Sequence, residues 1–333
     1  MKAAATLEEI YVPVEARLQA VPQTILDILG SPNDLAGDVI AYFFSGKGKL
    51  LRPALTCLGA AVKEKDTVLP PDFEARLLKL AASFEIFHGA TLIHDDIIDA
   101  SYLRRNIPTI NHKWGPEVAV LVGDYLHDKA IGTIHQNGTE KIFKLFVETA
   151  GIVCDGEIHE LQEKNNLRLT EESYLKIIEK KTASLLACTL KAGGLLAGAN
   201  EEESRALYQF GIDFGIAFQI VDDCLDFSGN EDEFGKTLGA DFAGGVLTLP
   251  LIRLLSAADG PAKEEALEIF KGRDESKLQK ILQMIRDYAA LDYALDRARA
   301  YSDSARARLA IFPESAARAS LERLVDYVLE RNR

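Results

Sequence analysis

The chain reads as an all-α protein, and three observations carry this. Apolar residues recur at helical spacing, as in Phe210, Phe214 and Phe218, which fall on one stripe. No segment of useful length shows the period-two alternation of a half-buried strand. Beyond residue 262 the chain is rich in Ala, Leu, Glu, Arg and Lys, strong helix formers in an amphipathic arrangement.

Taken in order, the segment from Leu77 to Asp99 reads as one long helix with few polar residues until its end. Thr170, followed by Glu171, Glu172 and Ser173, has the form of a helix N-terminus, with a hydroxyl cap and acids in the first turn. The helix it opens runs toward the glycines at 193 and 194. Turn-forming clusters break the chain at Ser31 to Asp34, Leu69 to Asp72, Asn106 to Pro116, Asn137-Gly138 and Asp259 to Pro261. Ser228 to Gly245 is a glycine-rich, charged loop. No fixed short repeat and no long polar linker divides the chain, so residues 1–333 are expected to form one domain.

Composition excludes several classes. Apolar residues make up 47% of the 333, enough for a large core. The net charge is −13 with no basic stripe, which argues against nucleic acid as a partner. Cys57, Cys154, Cys188 and Cys224 are far apart among apolar neighbours, without a CxxC pair, and are expected to be buried free thiols in a reducing compartment. The N-terminus acquires glutamates before any apolar run, unlike a secretory signal. The most apolar stretch, Leu185 to Ala199, is broken by Lys191 and adjacent glycines and is too short to span a bilayer. A cytoplasmic protein is expected, with at most peripheral membrane contact.

Two acidic clusters stand out, Asp95-Asp96-Ile97-Ile98-Asp99 and Asp222-Asp223-Cys224-Leu225-Asp226. In each, the first and last carboxylates lie four residues apart on one helix face. Each follows an apolar run, where a solvated face is not expected, and each sets negative charge at the unfavourable end of a helix. Hard divalent cations with oxygen ligands relieve both penalties, and magnesium characteristically bridges a few carboxylates to substrate phosphates. Two such walls therefore point to a metal-bridged diphosphate.

With these motifs, the sequence resembles the trans-polyprenyl diphosphate synthases from Gly46 to Arg333. EIFHGATLIHDDIIDASYLRRNIPT is similar to that family's first aspartate-rich region, and FQIVDDCLDFSGNEDEFGKTLGAD to its second. The resemblance implies an isoprenoid-synthase-type antiparallel helical bundle around a central cavity, usually a homodimer, with three Mg2+ ions per active site. It implies that Asp95 and Asp99 ligate two of the ions with Asp96 in support. Asp222 would ligate the third, with Asp223 and Asp226 in its shell. Lys49 and Arg52 of the GKLLRP segment, with His88 seven residues before Asp95, would hold isopentenyl diphosphate. Arg104 would grip the allylic diphosphate and Arg105 the isopentenyl one. Lys181, Thr182 and Gln219 would sit at the allylic diphosphate and the ionising carbon, and Lys236 would add a further cation. Taken singly, His88 would read as a hydrogen-bonded core histidine, Arg104-Arg105 as a surface pair, Lys180-Lys181 as a solvated face and the phenylalanine stripe as packing. The two aspartate clusters turn His88 and the basic residues, but not the phenylalanines, toward ligand binding.

The sequence departs from the pattern at Leu50, where a basic residue is usual, and at Val246, where a lysine near the allylic diphosphate is usual. A class I terpene cyclase needs no isopentenyl site, and a non-catalytic subunit of a heteromeric synthase commonly lacks aspartates that are all present here. A di-iron reading of Glu85-xx-His88 fails for want of a second ExxH. The expected chemistry is ionisation of the allylic diphosphate, attack by the isopentenyl double bond and loss of a proton. Ala90 and Thr91, one turn before Asp95, are small where short-chain members of the family carry an aromatic residue that closes the cavity floor, so the resemblance implies a product longer than farnesyl, from geranylgeranyl to octaprenyl with the longer half favoured. The segment Asp124 to Lys129 is the candidate floor, its charges able to stop the chain early.

Overall fold

The structure is a computed structural model that describes residues 6–30, 34–46, 48–64, 68–104, 107–228, 242, 244–273 and 275–330. Its helices, in order, are α1 (Leu7–Tyr11), α2 (Glu15–Leu29), α3 (Leu35–Phe44), α4 (Leu51–Ala61), α5 (Phe73–Ile98), α6 (Ile110–Trp114), α7 (Pro116–Asn137), α8 (Glu140–Glu163), α9 (Glu171–Ile178), α10 (Ser184–Leu196), α11 (Glu201–Ser228), α12 (Leu249–Ala257), α13 (Gly260–Gly272), α14 (Leu278–Asp287), α15 (Ala290–Arg308) and α16 (Ala316–Glu330). The all-α class holds. The one strand pair among the described residues, Leu103–Arg104 against Ile107–Pro108, is antiparallel and two residues long, too short to show alternation in sequence.

The architecture centres on α5 and α11. α5 is apolar on most of its circumference, with Leu77, Leu80, Phe84, Phe87, Ala90 and Ile93 all buried, because it packs against α2, α4 and α7. It starts at Phe73, earlier than the expected Leu77, and ends where the backbone N–H of Asp99 donates to the Asp95 carbonyl at 2.8 Å. α11 packs between α10 and α15. Its Phe210 and Phe214 are buried and stacked 5.8 Å apart, so the stripe is core packing.

Thr170 caps α9 as expected, accepting from the Ser173 backbone N–H at 3.2 Å. The glycines at 193 and 194 do not end α10, which continues to Leu196. They are there for close approach: a Cβ on Gly193 would fall 1.9 Å from the Thr56 carbonyl oxygen, and one on Gly59 would fall 2.1 Å from that of Leu190. α4 and α10 thus touch backbone to backbone.

Three cysteines are buried free thiols, but Cys154 is exposed, a correction to the sequence reading. It lies on the outer face of α8, where Val147, Ile152, Ile158 and Leu161 are also exposed. An apolar helix face looks alike in sequence whether the fold or something outside it covers the face. Among the described residues no helix is long and apolar enough to cross a membrane.

Candidate active site

The first aspartate cluster closes α5. Asp96 is 4% exposed. It is held by Arg104, whose Nε donates to both carboxylate oxygens at 3.0 Å and whose Nη2 donates to Oδ1 at 2.8 Å. Arg104 comes from the short strand pair that folds back over the end of α5. Burial pushes the Asp95 carboxyl up to about 7, with Glu157 and Asp99 adding to the shift and Lys181 and Arg104 opposing it.

The second cluster lies near the end of α11, where Asp222 and Asp226 are half-buried and Asp223 is 6% exposed. Asp223 accepts from the Tyr174 hydroxyl at 2.6 Å and from Gln219 Nε2 at 2.8 Å. Gln219 Oε1 in turn accepts from Thr182 Oγ1 at 2.9 Å. Thr182, Gln219, Asp223 and Tyr174 therefore form one polar chain. Burial raises the Asp223 carboxyl well above the usual range despite both hydrogen bonds, and Asp222 adds to the rise.

Lys181 and Thr182 sit on a π-helical turn, Glu179–Ala183, that joins α9 to α10. Such turns widen the helix locally and re-aim side chains. Gly156 lets α8 come against this turn, since a Cβ there would lie 2.6 Å from the Lys181 backbone nitrogen. The approach brings Lys181 Nζ to Glu157 at 2.8 Å and into an ion pair with Glu160. Burial works against the ammonium charge, but Glu160 and Glu157 outweigh it and hold Lys181 above the ordinary lysine range. Burial likewise raises the Glu160 carboxyl.

Asp99 of the first cluster and Asp223 of the second line one cavity of about 190 Å³, together with Glu160, Tyr174, Lys181, Thr182, Gln219 and Val246. Arg104 and His88 do not line it. His88 is half-buried on α5, with its Nδ1 3.5 Å from Thr91 Oγ1. Lys49 precedes α4 and Arg52 lies in its first turn, beside α5. Leu50, the first departure from the family pattern, caps α4 in the left-handed region at φ 48°. Arg105 and Lys236 lie outside the described residues.

The donor set fits hard cations: carboxylates from the end of α5, from α8 and from α11 face a shared space, and burial raises those of Glu160 and Asp223. Among the described residues no three acidic, histidine or cysteine side chains converge as a ready-made cage. That suits an ion which completes its shell with water and substrate oxygens.

Residues 33–288 match the sequence profile of the Polyprenyl synthetase family. The chain belongs to this family. It is a prenyltransferase of the polyprenyl diphosphate synthase kind. It is 35% identical over 303 residues to the geranylgeranyl diphosphate synthase of Saccharolobus solfataricus, covering 88% of this chain and 89% of that one. It is 32% identical over 331 residues to the octaprenyl diphosphate synthase of Haemophilus influenzae, covering 98% of each. Among solved structures it superposes with a TM-score of 0.91 on a Caulobacter crescentus polyprenyl synthase complexed with calcium and isoprenyl diphosphate, at 32% identity and full coverage of both chains. Relatives with short and long products match about equally, so similarity alone does not set chain length in this polyprenyl synthetase.

The sequence reading missed Glu157, Glu160 and Tyr174. The one local signal was Gly156, a glycine inside a helix next to a glutamate, which marks a close approach without saying to what.

Proposed function

We propose that this prenyltransferase condenses isopentenyl diphosphate with an allylic prenyl diphosphate, giving a medium- or long-chain all-trans product by ionisation, condensation and elimination. The observation that carries the proposal is the shared cavity, where Asp99 and Asp223 face the Thr182–Gln219 pair. In this reading Asp95, Asp96, Asp99, Asp222, Asp223 and Asp226 hold magnesium, three ions per site. Bound there, the ions would neutralise the diphosphate and make it a better leaving group.

The residues have separable tasks. Lys49, Arg52, His88 and Arg105 anchor isopentenyl diphosphate. Arg104 and Lys236 serve the allylic diphosphate, Arg104 also fixing Asp96. Lys181 is positioned by Glu157 and Glu160, and Thr182 and Gln219 turn oxygen dipoles toward the carbon that becomes cationic. The apolar wall of Ile177, Ile178 and Leu247 limits water, which would trap the cation as an alcohol. No side chain of the cavity is required as the final base, because the departing diphosphate can take the proton.

The growing chain would run along α5 past Ala90, which is buried and small. One turn deeper, the Phe87 ring lies 5.0 Å from that of Phe146 and 5.4 Å from that of His127. These rings, rather than the exposed Asp124 and Asp128, are the proposed floor. The exposed apolar residues of α7 and α8, among them Val120, Leu121, Ile158 and Leu161, suit a homodimer.

The test is an assay of the purified protein with isopentenyl diphosphate and dimethylallyl, geranyl, farnesyl or geranylgeranyl diphosphate, with and without magnesium. Magnesium-dependent products longer than farnesyl are expected. No elongation of any starter would refute the proposal, and farnesyl as sole product would refute the chain-length part.

A further inference from the structure

The cavity has a surplus of acids. Among the described residues its walls carry Asp99, Glu160, Glu163 and Asp223 against two cations, Lys164 and Lys181. Lys181 is already committed to Glu157 and Glu160. Lys164 makes no ion pair with any described residue, and its neighbour Glu163 is engaged by Asn166 and lies 4.0 Å from His159. An uncommitted ammonium beside so many carboxylates is available to an incoming anion.

The backbone explains why Lys164 stands there. α8 ends at Glu163, and the chain leaves the helix at Lys164, with φ −57° and ψ 127°. The next residue, Asn165, donates its backbone N–H to the Gly245 carbonyl at 3.1 Å. Gly245 has φ +75°, and a Cβ on it would lie 2.3 Å from Asn165 Oδ1, so only glycine allows this contact. The Arg273 guanidinium closes the junction by donating to the same Asn165 oxygen. Lys164 and Val246 thus flank one tie between two chain segments, and both line the cavity. An aliphatic side chain, Val246, and a lysine that no described residue pairs, Lys164, line the cavity next to that tie.

We infer that Lys164 is a substrate-binding residue that supplies the cation for the allylic diphosphate at the wall position where Val246 offers none. This rests on the proposed prenyl-transfer function and extends it to a residue outside both aspartate motifs. The ammonium acts as a movable point charge on a flexible stem, able to reach a phosphate oxygen beside Asp99 or Asp223 without disturbing the Lys181 ion pairs. An arginine at this place would keep the charge, and a lysine moved across the tie to position 246 would replace it.

The test compares wild type with Lys164→Gln, Lys164→Arg and the double variant Lys164→Gln/Val246→Lys, varying each substrate separately. Lys164→Gln should raise KM for the allylic diphosphate about tenfold, equivalent to the loss of one charge-assisted contact. KM for isopentenyl diphosphate should stay unchanged. Lys164→Arg should keep most of the allylic affinity, and the double variant should recover it. Titration calorimetry with farnesyl diphosphate in magnesium should show the same order. An unchanged allylic KM in Lys164→Gln, or equal rises for both substrates, would overturn the inference. A wild type that elongates no starter would instead remove the underlying function, so the two failures are distinct.

Discussion

Replacing Tyr174 by Phe isolates one atom of the site. Tyr174 is 3% exposed, and its hydroxyl donates to Asp223 Oδ2 at 2.6 Å, the length of a charge-assisted O–H···O bond. Such bonds to a charged group contribute about 1.5–3 kcal/mol. The ring would still fill its place, so packing is preserved and the loss is electrostatic. Burial already lifts the Asp223 carboxyl, and the Tyr174 hydroxyl is the larger of two hydrogen bonds that hold the rise in check. Without it the ionised form becomes costlier, and a carboxylate must be ionised to ligate a metal. At about 1.4 kcal/mol per tenfold, the energy converts to a shift of about tenfold to a hundredfold in the magnesium concentration for half-maximal activity. The assay is a magnesium titration of initial rate at saturating substrates, repeated at two pH values. The deficit should shrink at higher pH, because solvent then supplies the deprotonated carboxylate that the hydroxyl no longer favours. A Tyr174→Phe protein with wild-type magnesium dependence would show that Asp223 is not a metal-linked group and that the hydrogen bond is only structural.

Burial holds the folded-state carboxyl of Asp95 near 7, above the unfolded value of about 4, so the folded chain binds a proton that the unfolded chain releases. This contribution weakens the metal-free protein as pH rises from about 4 to 7, and Asp95→Asn should raise its melting temperature more at about pH 8 than at about pH 5; equal shifts would refute the assignment. Phe87→Ala should lengthen the product by opening the space between Ala90 and the Phe146–His127 rings, at a cost of about 3–5 kcal/mol in stability, while Ala90→Tyr should shorten it. Chromatography of products decides both, and unchanged length in either variant would remove these residues from the floor. Gly193→Ala should destabilise by at least about 1–3 kcal/mol, because its Cβ would fall 1.9 Å from the Thr56 carbonyl oxygen; an unaltered denaturation midpoint would contradict the close helix crossing.

What the sequence disclosed depended on how local each signal was. Thr170 capped its helix because cap and first turn are consecutive residues. The aspartate clusters were legible because residue type, spacing and the preceding apolar run all lie within one helix. The pairing of Thr182 with Gln219 came only through family resemblance, and the structure joins them across 37 positions. Nothing local announces that Tyr174 reaches Asp223 or that Lys181 meets Glu157 and Glu160, because those contacts depend on how three helices cross. Gly156, Gly193 and Gly245 were visible as glycines, but the backbone each one admits belongs to a distant segment. Cys154 was misplaced for the related reason that an apolar helix face does not say what covers it.

The same electrostatics argue for an order of events under the proposed function. Among the described residues, a chain of net charge −13 gathers four acids around a cavity proposed to take another anion, and ties one of the two lysines there to Glu157 and Glu160. A bare diphosphate would meet net repulsion there, in a partly desolvated space where charges are weakly screened. Burial, which raises the Asp223 carboxyl of that wall, lessens the repulsion by favouring its protonated form, but a protonated acid is no use as a ligand. Under the proposed function the two aspartate clusters would hold cations in place of such protons, which would turn both walls from repulsive to attractive. The ion pairs on Lys181 then have a second consequence. They hold its ammonium in place before substrate arrives, so it stays a fixed charge of the wall, while Lys164, with no such tether among the described residues, is left as the mobile one.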